Sequence, residues 1–185
     1  MDGVVNIVPR TSRAQNLFEE QVGNELAVSQ QYVAIAVWFD QRDLPRLASY
    51  FYRHSLKKRN DAMRIVQYML DNNIEVEIPG VPAVRNTFED PSELVALALE
   101  KERAVTDEVT ALSQTLRQDA DYLGEEFMRW FLAEQVEQVS EMTTVLDVMD
   151  RAQGNMFDME DYLERDPVGD DRNESAAPRV AGGKL

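Results

Sequence analysis

The chain has 185 residues, enough for one domain with a sizeable core. Its 34 acidic residues against 19 basic ones give a formal charge of −15, which argues against a phosphate-backbone partner such as nucleic acid. It has no cysteine, no signal-peptide core between Met1 and Arg13, and no run approaching the roughly 18 apolar residues that span a membrane. Disulfides, thiolate metal sites and a membrane partner are therefore not expected, and a cytoplasmic protein is.

Residues 1–12 read as an N-terminal arm, in which Thr11 or Ser12 can cap a first helix that runs to about Asp40. Its inward stripe is Phe18, Val22, Ser29, Tyr32 and Ala36, with Glu25 inside the stripe. A second helix starts near Asp43, with Pro45 in the first turn, and ends near Asp71-Asn72-Asn73. Leu47, Phe51, Ser55, Ala62, Ile65 and Met69 form its stripe, and Lys58 lies on it. Ile74 to Glu89 contains Pro79-Gly80 and Val81-Pro82 and is too long for a simple turn, so a long crossover between helix pairs is expected. Asp90 and Glu93 have capping-box spacing before a third helix to about Gln118. Its stripe is Val95, Ala98, Val105, Val109, Leu112 and Leu116, with Glu102 at a seam position. The fourth helix follows Asp119 to Asp121, with Met128, Phe131, Val139, Met142, Leu146 and Met149 inward and Gln135 and Gln138 on or beside that stripe. Asn155 can cap a short fifth helix to about Arg165. These elements make an all-α helical domain over residues 13–165, and residues 166–185 read as a flexible tail.

Polar residues sit on these apolar stripes at regular steps. Glu25 to Lys58 is 33 residues, Lys58 to Glu102 is 44, and Glu102 to Gln135 is 33 again. The two halves thus look like a degenerate repeat offset by 77 residues. One carboxylate on a helix and an i,i+3 pair on the next, repeated once, is the layout of a dinuclear metal site in a four-helix bundle. Here neither pair reads Glu-x-x-His: one is Lys58-Arg59-Asn60-Asp61 and the other Gln135-Val136-Glu137-Gln138.

Asn24-Glu25-Leu26 through Gln30-Gln31-Tyr32, Leu44 through Met69, Val76-Glu77-Ile78-Pro79, Glu100-Lys101-Glu102 and Trp130 through Gln135 resemble the bacterial non-haem ferritins. The resemblance covers roughly Gln15 to Arg165. It implies a ferritin-like four-helix bundle with a long crossover between helices 2 and 3 and a short fifth helix. It also implies a homo-oligomeric 24-mer cage that stores ferric iron as mineral. In active relatives the positions of Glu25, Lys58, Asp61, Glu102 and Gln138 are Glu, Glu, His, Glu and Glu, while Gln135 agrees with the family. Three ligands of the dinuclear ferroxidase centre are therefore changed, much as in animal light-chain ferritins. Next to that centre some relatives bind a third iron; Glu134 and Glu137 match that pattern, but Lys57 stands where Glu is usual. Arg59 occupies the place of the haem-ligating Met of bacterioferritins, so no haem is expected. Asp121 and Glu125 fall where the family has threefold channels.

Lysine offers donors only and cannot ligate while charged. At about 4 Å and an effective dielectric near 20 it would repel a divalent ion by roughly 8 kcal/mol. Lys58 is expected to be buried and paired with Glu25, Glu102 or Asp61, a salt-bridge cluster in place of metals. Tyr32 belongs either beside that cluster or in the core. His54, the only histidine, is expected at the surface, and the basic Arg53, Lys57, Lys58 and Arg59 are a weak case for nucleic acid. The reading is an iron-storage subunit without a standard ferroxidase centre, alone or co-assembled with a catalytic ferritin subunit. Glu25, Glu102, Glu134 and Glu137 remain as possible weak iron sites, with Asp121 and Glu125 as channel candidates. One alternative is a slow ferroxidase using the remaining carboxylates; the other is an interaction protein docked through its tail.

Overall fold

The computed structural model describes residues 13–165 and 177–183, and contains five helices there: α1 (Arg13–Asp40), α2 (Pro45–Asp71), α3 (Pro91–Gln118), α4 (Tyr122–Ala152) and α5 (Met156–Arg165). The arm 1–12, with the proposed Thr11 or Ser12 cap, lies outside the described residues. Helices α1 and α2 pack as one pair and α3 and α4 as another, and α1 also touches α3. The stripes of α2 and α3 are buried as expected. On α4 the buried line runs through Val145, while Val139 and Leu146 are only half-buried. The polar positions Gln135 and Gln138 share that line and are buried with it.

The crossover runs back along α1 in an extended path. The Glu77 amide donates to Glu19 Oε1 (3.1 Å), and Gln31 and the Arg85 backbone exchange two hydrogen bonds of 2.8 Å. A Cβ on Gly23 would stand 2.7 Å from Pro79 Cγ, so only glycine lets the loop lie this close. Because the loop retraces the length of α1, α3 runs parallel to α2, and the four helices go up, down, down, up. This is the crossover expected of residues 74–89.

The caps differ in detail from the expectation. Asp90 accepts from Ser92 N (2.7 Å), but Glu93 pairs with Arg85 and does not close a capping box. Asn155 Oδ1 accepts from Phe157 N (3.2 Å) at the start of α5, after Gln153 and Gly154 turn the chain at φ 47° and 86°. The first turn of α2 follows Leu44, which has no capping side chain. Its orphan amides are met from α5: Glu160 accepts from Arg46 N and Leu47 N, both at 2.9 Å. Glu160 is buried, so a residue 114 positions away supplies the cap that no local residue can.

Within the expected flexible tail of residues 166–185, residues 177–183 are described and contact α2. Ala181 N donates to Met63 O (3.1 Å), Arg64 Nε to Pro178 O (3.3 Å), and Arg179 pairs with Asp71 (2.8 Å). Small Ala181 buries against α2 and fits beside the helix backbone, which composition alone does not reveal.

Glu160→Ala is expected to cost about 1–3 kcal/mol, the price of leaving two helix-terminal amides unpaired. Chemical denaturation would measure it. Glu164→Ala, which removes only an exposed ion pair with Arg46, should change stability by less than about 1 kcal/mol.

Candidate functional site

Glu25 on α1, Lys58 and Asp61 on α2, Glu102 on α3, and Gln135 and Gln138 on α4 are all buried in the same bundle. Aromatic groups close the bundle on both sides of them. Phe18, Tyr68, Phe127 and Phe131 pack toward one end, with Tyr68 and Phe127 stacked at 4.1 Å. Tyr32, Phe39 and Phe51 pack toward the other.

Lys58 is 1 % exposed. Its Nζ lies 2.7 Å from Glu102 Oε2 and 3.4 Å from Glu25 Oε2, and donates to Gln135 Oε1 at 3.2 Å. The carboxylates have their own supports. Tyr32 OH donates to Glu102 Oε1 (2.6 Å), and Gln135 Nε2 donates to Glu102 Oε2 (3.2 Å) and to the Glu102 carbonyl (3.0 Å). Gln21 Nε2 donates to Glu25 Oε1 (3.0 Å). Tyr32 is thus both a core tyrosine and a partner of the site.

These contacts sort the two glutamates. Burial favours a neutral Glu102, but the Lys58 charge and the hydrogen bonds from Lys58 and Tyr32 outweigh it and hold its pKa below the usual carboxylate value. Glu25 is pushed up to about 7, because burial together with Asp61 and Glu102 exceeds the pull of Lys58 and the bond from Gln21. Its Oε2 makes no hydrogen bond, so the 3.4 Å contact with Lys58 is a loose ion pair. Burial acts to deprotonate Lys58, yet Glu102, Glu25 and Asp61 together raise its pKa above the ordinary lysine value. Lys58 is therefore a charged ammonium whose firm partner is Glu102.

Asp61 is turned to a second cation. Arg64 Nη1 donates to Asp61 Oδ1 at 2.7 Å, and both side chains are buried. Burial raises the Asp61 pKa, against the charges of Lys58 and Arg64. Gln138 is 3 % exposed, and neither amide atom has a hydrogen-bond partner.

His54 corrects the expectation of a surface residue. It is buried, its Nε2 lies 2.8 Å from Glu141 Oε1 without a hydrogen bond to it, and burial lowers its pKa to about 3, so it is a neutral imidazole beside a carboxylate. Glu134 is buried against Lys57 (3.1 Å), whereas Glu137 is exposed. The expected basic patch is thus partly drawn inward by Lys57 and Lys58. Asp121 caps α4, accepting from Gly124 N (3.0 Å), and Glu125 pairs with Arg117, so both channel candidates are engaged within the subunit. Among the described residues, no group of three His, Cys, Asp or Glu side chains is arranged to hold a metal ion.

Arg64, Gln21, Thr106 and Glu141 were not singled out from sequence. Arg64 carried a legible signal, its i,i+3 spacing from Asp61 on one helix face.

The ferritin-like domain family matches residues 15–152. The chain is 50% identical to ferritin BfrB of Mycobacterium tuberculosis over 169 residues, 91% of this chain and 93% of that relative. It is 30% identical to a bacterial non-heme ferritin of Staphylococcus aureus over 141 residues, 75% of this chain and 85% of that relative. A crystal structure of a PmFTN variant soaked in iron superposes with a TM-score of 0.76 at 28% identity, covering 80% of this chain and 96% of that one.

Two outcomes are expected of the cluster. Lys58→Met should destabilise the fold by about 3–5 kcal/mol, the cost of stranding buried carboxylates, measured by denaturant unfolding. The Glu25 pKa is raised on folding, so its protonation favours the folded state and its contribution is lost as pH rises from 4.5 to about 7. Glu25→Gln should remove that loss, and a stability–pH profile should flatten across this window.

Proposed function

The chain belongs to the ferritin family, and we propose that it is an iron-storage cage subunit in which a salt-bridge cluster takes the place of the dinuclear ferroxidase centre. One observation carries this reading: the Lys58 ammonium lies between Glu102 and Glu25, at 2.7 and 3.4 Å, in the buried centre of the bundle. The residues present do not fit a pair of iron ions. An ammonium has no lone pair to give, and its neighbours raise the pKa at which it would acquire one. Asp61 is engaged by Arg64, and Gln138 is an uncharged amide. Ferrous iron prefers carboxylate and imidazole ligands, and here most of the carboxylate charge is neutralised from within the protein.

Iron in this reading is cargo. The subunit builds a 24-mer in the cytoplasm, either homo-oligomeric or mixed with a catalytic ferritin subunit that oxidises Fe2+ for the shared cavity. Glu134 and Glu137 supply carboxylates for loosely held iron. A slow ferroxidase built on Glu25, Glu102, Asp61, Glu134 and Glu137 would first have to displace Lys58 from Glu25 and Glu102. A partner docked through the tail would have to compete with the contacts of residues 177–183 to α2.

The test is the initial rate of aerobic Fe2+ oxidation by the purified protein. The wild-type rate is expected near the protein-free blank. The triple variant Lys58→Glu/Asp61→His/Gln138→Glu, which restores the ligand types of active relatives, should be fast. A fast wild type would overturn the reading.

A further inference from the structure

Arg64 joins three parts of the molecule. Its Nη1 donates to Asp61 Oδ1 (2.7 Å), its guanidinium lies over the Trp130 ring of α4 (4.7 Å), and its Nε donates to the Pro178 carbonyl of the C-terminal segment (3.3 Å). That segment is itself fixed by Ala181 N on Met63 O, one residue before Arg64, and by Arg179 on Asp71. We propose that Arg64 is a second lock on the metal-free centre: clamped by Trp130 and by residues 178–181, it engages Asp61 and withholds that carboxylate from any metal. This rests on the reading of the centre as disabled, and adds that Lys58 is not the whole cause.

The physical case is one of fixed geometry and charge. A guanidinium offers five donors in a rigid plane and does not lose its proton. With one donor committed to Pro178 and its face against Trp130, Arg64 has little freedom to swing away. Asp61 is short, so a carboxylate bonded at 2.7 Å to a neighbour one turn along the helix cannot also reach freely across the bundle. A divalent ion approaching Asp61 would meet a cation that is buried, packed and tied down from outside the four-helix core. The C-terminal segment is then a strap whose contacts reach the centre through one side chain.

The lock predicts that removing Lys58 alone restores metal binding only in part. The probe is Co2+ alone, titrated into the assembled full-length protein and followed by ligand-field absorbance and calorimetry. Wild type should show no tight bundle ion, and Lys58→Glu a weak one. Lys58→Glu/Arg64→Gln should bind it roughly 10–100-fold more tightly, the range over which outer-shell partners move metal affinity. Lys58→Glu/Arg64→Lys, which keeps the charge beside Asp61, should stay near the single variant. Adding Asp61→Asn to the Arg64→Gln variant should cancel the gain. Deleting residues 177–185 in the Lys58→Glu background should give a smaller gain in the same direction.

Equal affinity for Lys58→Glu with and without Arg64→Gln would overturn the lock and leave the disabled centre standing. So would a gain shared by Arg64→Lys or surviving Asp61→Asn, since it would come from general loosening. An unchanged affinity after the deletion would overturn the part played by the strap. Tight Co2+ binding in the bundle of the wild type would instead sink the reading of the centre itself. Cage size by gel filtration, run on every variant, confirms that the comparisons are between folded proteins.

Discussion

A single buried ammonium sets the terms for everything around it. In a low-dielectric interior an unpaired charge costs several kcal/mol, so Lys58 is tolerable only with acceptors already in place. Glu102 is the firm one, oriented by Tyr32 and Gln135, and Glu25 is the loose one. The same requirement acts in reverse. Three buried carboxylates on facing helices repel one another unless something positive lies between them, and in a dinuclear centre the metal supplies that charge. Here Lys58 and Arg64 supply it from the chain. The bundle is thereby neutralised without any ion, and the Glu25 proton near neutrality removes much of the remaining negative charge.

The helices contribute more than a frame. The crossover lies flat on α1 because Gly23 leaves room for Pro79, and this fixes the parallel course of α2 and α3. That course brings Glu25, Lys58, Glu102 and Gln135 to one level. Aromatic side chains pack toward either end of that level. Thr106 is part of this support, lying 3.3 Å from the Gln135 amide that holds Glu102.

The bundle was legible because burial writes a 3.6-residue period into the chain, and the site because polar residues interrupted that period at matched offsets. Lys58 could be placed inside on its stripe alone. What escaped was of another kind. His54 looked like part of a cationic run, but its neighbour Glu141 sits 87 residues away on α4, and no local pattern announces that contact. Glu160 capping α2 and Ala181 bonding Met63 depend likewise on where distant segments dock. The α4 stripe was read through Val139 and Leu146, while the helix buries Val145. Apolar residues are dense there, and the choice of face falls to contacts with neighbouring helices.

The presence of Glu25 and Glu102 beside altered partners invites the inference that some metal function survives. In the proposed reading the two glutamates have another role, as partners of Lys58. Once Lys58 occupies the centre, replacing Glu102 by a neutral residue would strand a buried cation, and replacing Glu25 as well would leave Gln135 as its nearest remaining acceptor. Glu102 is thus required by the fold as a counterion, with Glu25 as its looser companion, whether or not iron ever binds between them. Retained ligands in an altered metal site can be counterions, and the distinction lies in what they touch: here a carboxylate oxygen that a metal would take is already 2.7 Å from nitrogen.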